Sequence, residues 1–231
     1  MTSGEGARLR RSDDPKAADW VRRRLRRFGS GVAAVVPDGF AAYARILHPA
    51  FDADGRAVSW AEIAASTGRR VHALAQFGAI TADAWPDRPP EIGNLPADEF
   101  RRLCAVLTRH TDTPDRCWFG LWNGYGWLDA AERGGEVRLP GRDYLLFTGP
   151  LSAVGEPGWR LSGSTTTHQS PNLLWLADRA WCVGGEIDLH CTFVGGSEDL
   201  VDEILADGGL EAWRVRPEDP ITFDSDRVNV P

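Results

Sequence analysis

The sequence predicts an α+β fold, and three observations carry that reading. Helix-forming stretches gather early, apolar and aromatic strand-like stretches gather late, and no steady βαβ alternation joins them. The expected architecture has helices mainly in the N-terminal half and a mostly antiparallel sheet in the C-terminal half. One closing helix is expected near 197–206. The chain divides into a polar, flexible N-terminus (1–15), a single α+β domain (16–215) and an extended polar tail (216–231).

The elements follow in order. Residues 16–28 read as a basic helix whose Trp20, Val21, Leu25 and Phe28 form one apolar face able to dock on the body. "GVAAVVPDGFAAYARILHPAF" holds strand-like runs broken by the turn signal Pro37-Asp38-Gly39. In "AFDADGRAVSWAE", Gly55 at the sixth place of a calcium loop would put Ala50 and Ala61 at the first and twelfth. Both ligand positions are then lost, so Asp52-Ala53-Asp54-Gly55 reads as a turn. Ser59 with Glu62 three residues on is a capping box for the next helix. "LPADEFRRLCAVLTRH" is the clearest helix: Pro96 suits its first turn, and Phe100, Leu103, Cys104 and Leu107 share a face.

Beyond residue 116 the character changes. "CWFGLW" and "RDYLLF" read as strands, with Asn123-Gly124 as a hairpin turn. Gly124-x-Gly126 falls short of a dinucleotide fingerprint, because Asp129 stands where a third small residue is required. "WCVGGEIDLHCTFVGG" (181–196) alternates apolar and polar residues. It predicts one strand with Trp181, Val183, Ile187, Leu189 and Phe193 buried and Cys182 and Cys191 on opposite faces. Ser197, the acids after it and the glycines beyond residue 207 frame the closing helix.

The segments "YARILHP", "TPDRCWFGLW", "LPGRDYLLFTGPL" and "SPNLLWLADRAWCV" resemble a family of actinobacterial proteins to which no activity is attached. The resemblance runs from about Val32 to Ala212. It implies a folded unit and carries no chemistry.

Composition narrows the functional classes. Lys16 is the only lysine, which excludes a Walker A lysine or a Schiff-base lysine in the body of the protein. Eight arginines and Lys16 against four acids give residues 1–28 a charge of +5, leaving −12 on the remainder of a chain whose total is −7. An acidic body disfavours nucleic acid as a partner. Four cysteines without a C-x-x-C exclude a zinc ribbon or a thioredoxin motif. No apolar run approaches the length of a membrane span, so the expectation is a cytoplasmic protein with free thiols and no membrane partner. Ten tryptophans supply large apolar surfaces for a core or a recognition site.

Candidate site residues cluster late. Glu186, Asp188 and His190 are spaced to share the polar face of the predicted strand, with successive Cα atoms about 6.5–7 Å apart. Carboxylates and imidazole together suit acid–base work or a divalent metal, although which metal or cofactor stays open. His168 and His110 are further possible ligands. His168, in the hydroxyl-rich loop "SGSTTTHQSPN" (162–172), joins Trp175 and Trp118 as candidate ligand-binding groups. "EIAASTGRRVHALAQF" has the Ala64/Gly68 spacing of a helix-turn-helix, with Arg69 and Arg70 opening the second helix. No G-x-S-x-G elbow is present. The leading expectation is a non-catalytic module binding a small molecule or a protein. The alternative is a metal- or acid–base-dependent enzyme using Glu186, Asp188 and His190, and the third is DNA binding through 59–78.

Overall fold

A sheet covered on both faces needs apolar side chains at both strand parities, not at one. The computed structural model, which describes residues 9–82, 84–126, 136–154 and 168–229, is organised around such a sheet. Its strands are β1 (Arg10–Arg11), β2 (Ala42–Leu47), β5 (Cys117–Trp122), β6 (Glu136–Leu139), β7 (Arg142–Gly149), β8 (Leu173–Leu176), β9 (Cys182–Gly185), β10 (Cys191–Gly196) and β11 (Ala212–Val215). The order is β1-β7-β5-β8-β9-β10-β2-β11, with β6 also on β7, and every pairing is antiparallel. Short strands β3 (Ala50–Phe51) and β4 (Ala57–Val58) form a separate hairpin around the Asp52–Gly55 turn. Most of the sheet is C-terminal as expected, but β2 enters its interior from the N-terminal half.

The helices are α1 (Asp19–Arg24), α2 (Trp60–Thr67), α3 (Phe77–Thr81), α4 (Ala97–Thr108) and α5 (Glu198–Ala206). Strand β2 shows the two-sided burial: Ala42, Ala44 and Ile46 join one core, Tyr43 and Leu47 the other. The first core is closed by α4 and α5 through Phe100, Leu103, Leu107, Leu200, Val201 and Ile204. The second is closed by α1, α2 and α3 through Trp20, Val21, Trp60, Ile63, Phe77 and Ile80. Gly184 and Gly195 let the segment after α1 lie directly on the sheet. A Cβ at Gly184 would come 2.5 Å from the Val35 carbonyl oxygen, and one at Gly195 would come 2.5 Å from the Phe40 ring.

Several local expectations hold. Ser59 and Glu62 form the capping box, Ser197 caps α5, and the expected face of α4 is buried. The basic N-terminal segment docks through buried Trp20 and Val21, but its α-helix ends at Arg24 and Phe28 stays exposed.

Others are corrected. The 181–196 stretch is two strands joined by a turn at Glu186–His190, so Ile187 and Leu189 are only half-buried. The two strands meet side by side, which reverses the parity: Trp181 and Val183 face the first core, whereas Phe193 faces the second. Cys182 and Cys191 share the second core instead of opposing each other. All four cysteines are free and buried. The second helix of the 59–78 segment starts at Phe77, not at Arg69, so no recognition helix opens with Arg69 and Arg70. Asn123-Gly124 does not close a hairpin between neighbours in sequence. β5 pairs with β7, and the tight connection is Pro140-Gly141 between β6 and β7. The tail does not simply lie extended, because Ser225, Asp226 and Asn229 are buried against residues 70–76.

Candidate functional site

The turn between β9 and β10 sets the positions of the three polar residues singled out in the sequence. Leu189 N–H donates to the Glu186 carbonyl at 3.0 Å, and Gly93 N–H donates to the Leu189 carbonyl at 2.9 Å. Gly93 sits at φ +66°, and a Cβ there would come 2.6 Å from the Ile187 Cα. Only a glycine admits so close a backbone approach in that conformation. The outcome splits the trio into two environments.

Glu186 and Asp188 turn toward Arg142. The Arg142 guanidinium donates to Glu186 Oε1 at 2.6 and 3.1 Å and to Asp188 Oδ2 at 2.9 Å. The same guanidinium lies 4.8 Å from the Phe28 ring centroid and 5.8 Å from that of Trp122. The two carboxylates share one fixed cation, the arrangement of a structural clamp. His190 points elsewhere, against Phe77, with ring centroids 5.8 Å apart.

The other candidates are likewise distributed. His168 Nε2 is 2.8 Å from the Leu95 carbonyl oxygen and its ring packs on Phe100, on the first-core side. Trp175 and Trp118 stack on the second-core side with planes 8° apart, and Trp20 meets Trp175 edge-on at 6.5 Å. His110 pairs with Glu203 at 2.6 Å. Residues 162–167 of the hydroxyl-rich loop, including Ser164, lie outside the described residues, as does Asp129. Among the described residues no three His, Cys, Asp or Glu side chains converge as a metal would require.

His190 opens instead onto a cleft of about 750 Å³ whose walls come from four parts of the chain. Arg45 and Cys191 belong to its sheet side, Phe77 to α3, Leu189 and His190 to the turn, and Ile221 and Phe223 to the tail. The tail wall is built by hydrogen bonds. Asn229 brackets Arg70, accepting from its N–H at 3.0 Å and donating to its carbonyl at 2.8 Å. Asp226 accepts from His72 Nε2 at 2.9 Å and from the Asn229 side chain at 2.8 Å. Burial alone would raise the Asp226 pKa, but the bonds from Asn229, His72 and Val228 N–H outweigh it and hold the carboxyl well below the usual range.

Arg45 is the unusual member of this cleft. It is 5 % exposed, its Nη1 donates to the Ala73 carbonyl at 2.8 Å, and its guanidinium lies 5.9 Å from the Trp60 ring centroid. Its Nε has no hydrogen-bond partner, and among the described residues no carboxylate forms an ion pair with it. Burial first, and Arg45 second, push the His190 pKa down, so the imidazole is neutral near pH 7.

Sequence reasoning missed Arg45, Phe77 and the tail. One signal was readable: "AYARIL" carries a single charge in an otherwise apolar strand, and a buried charge is rare without a reason. Nothing in the sequence brings residues 221–229 to residues 70–76.

Comparison with known proteins finds no matching family model, no matching curated protein and no matching solved structure.

Proposed function

We propose that the protein is a non-catalytic binding module that takes a small organic molecule in the cleft between β2, α3, the β9–β10 turn and the tail. The observation that carries this reading is the concave site itself: apolar walls with a few convergent polar groups, the usual geometry of ligand pockets. Its volume lies in the range of sites for drug-sized molecules, about 300–1,000 Å³. Binding is favoured over acid–base catalysis because Glu186 and Asp188 are engaged by Arg142 and, among the described residues, no carboxylate bonds to His190 to orient it. It is favoured over DNA binding because no recognition helix opens with Arg69 and Arg70 and the Arg69 guanidinium donates to the Asn229 carbonyl.

The test is a fragment screen read by NMR at the His190 imidazole. Fragments that bind in the cleft shift its resonances saturably, and Ala79→Trp, which fills the cleft from α3, abolishes those shifts. Saturable binding that leaves His190 unmoved and survives Ala79→Trp would relocate the site and overturn this reading.

A further inference from the structure

We propose that the ligand of this cleft is a carboxylate on an apolar body, with Arg45 as the anchor for its single negative charge. This rests on the binding reading above and adds the ligand's chemical class.

A guanidinium removed from water keeps its charge, since arginine does not deprotonate in proteins, and so demands a counterion. Arg45 is 95 % buried by its 5 % exposure, touches the cleft and has no acidic partner among the described residues. The lining groups formally balance: Arg45, Arg69 and Arg227 face Asp188, Asp224 and Asp226. The balance is not local, however. Asp188 is engaged by Arg142, Asp226 by Asn229 and His72, and Asp224 by the Thr222 hydroxyl. Of the three cations Arg45 alone is buried, and among the described residues no carboxylate pairs with it.

That locally unpaired charge selects among anions. A monoanion cancels it, whereas a dianionic phosphate would bring a second negative charge toward Asp188, Asp224 and Asp226. The remaining walls, Phe77, Leu189, Ile221 and the 89 % exposed Phe223, offer apolar surface to the rest of the ligand. His190, neutral in the empty cleft, can donate to or accept from it.

Binding has a signature in the unmodified protein. Arg45 helps to depress the His190 pKa, so an anion seated on Arg45 raises it. The other charged groups around His190 are Asp188 on its own turn, Asp224, Asp226 and Arg227 on the tail and Arg69 after α2, with neutral His48 behind. A neutral ligand adds only burial, which pushes the His190 pKa further down, the opposite direction from an anion.

The experiment titrates the full chain with benzoate, phenylacetate, their neutral counterparts benzamide and phenylacetamide, and inorganic phosphate, following the His190 imidazole by NMR. The expected result is saturable binding of the carboxylates, an upward shift of the His190 midpoint, and amides weaker by about tenfold or more. Arg45→Met removes the preference for carboxylates. Should that variant not fold, the His190 midpoint in the unmodified chain decides alone. Amides as tight as carboxylates, or phosphate tighter than either, overturn the ligand class while leaving the cleft a binding site. Binding that bypasses His190 altogether overturns both.

Discussion

His48 is sealed from solvent with its Nδ1 2.6 Å from the Glu91 carbonyl oxygen and its Nε2 2.9 Å from the Thr192 hydroxyl. A carbonyl only accepts, so Nδ1 carries the proton and Nε2 accepts from Thr192. Burial pushes the pKa from 6.5 to about 4, aided by His190 and Arg45 and opposed by the bond to Glu91. The unfolded chain therefore binds this proton near pH 6.5 and the folded chain only near pH 4. Between those values the unfolded state holds more protons, and stability falls as pH falls. The expected loss is about 3 kcal/mol between pH 7 and pH 4, since one pKa unit is worth about 1.36 kcal/mol. Urea unfolding across that range checks it, and His48→Gln should flatten the part due to this residue. Arg45 illustrates the same scale from the sequence side. Its anomaly was readable in "AYARIL", but its lack of a partner depends on neighbours far away in the chain.

Elements obey local rules where the relevant contacts are local. The α2 capping box, the cap of α5 and the buried stripe of α4 were legible because each depends on residues within about one turn of one another. The β9–β10 hairpin was not, because a polar face and a polar turn produce the same alternation over a few residues. What decides between them is Gly93, a distant residue that pins the turn by its N–H and its close approach. Gly93→Ala meets both a left-handed φ and backbone atoms, and should cost about 1–3 kcal/mol. It should also displace the His190 NMR signals and weaken any cleft ligand. Gly208→Ala, where a Cβ meets nothing within 4 Å, is the control and should stay within about 0.5 kcal/mol of the parent. Equal effects of the two changes would show that Gly93 does not hold the turn.

At the scale of the whole molecule, the sheet joins two cores and the tail closes the cleft over one of them. Antiparallel organisation and a mainly C-terminal sheet followed from the order of residue types. The two-sided burial did not, because an apolar run reads alike under one cover or two. The tail's place was hidden for another reason: Ser225, Asp226 and Asn229 are polar, and polarity in sequence suggests solvent until partners are known. Removing residues 221–231 takes away those partners from His72, Gln76 and Arg70 along with one cleft wall. The expected result is a melting temperature lower by about 5 °C or more, roughly 2 kcal/mol, with loss of cleft binding. An unchanged melting temperature would mean that the tail adds nothing to the fold. The burial of all four cysteines has a separate, practical consequence. Cys104 and Cys117 have thiols pushed up to about 12, and Cys182 higher still, all chiefly by burial. A thiolate is the form that reacts with electrophiles. The native surface is therefore silent toward maleimides, and a cysteine introduced at exposed Phe223 becomes the one reactive thiol for a dye, set at the mouth of the cleft.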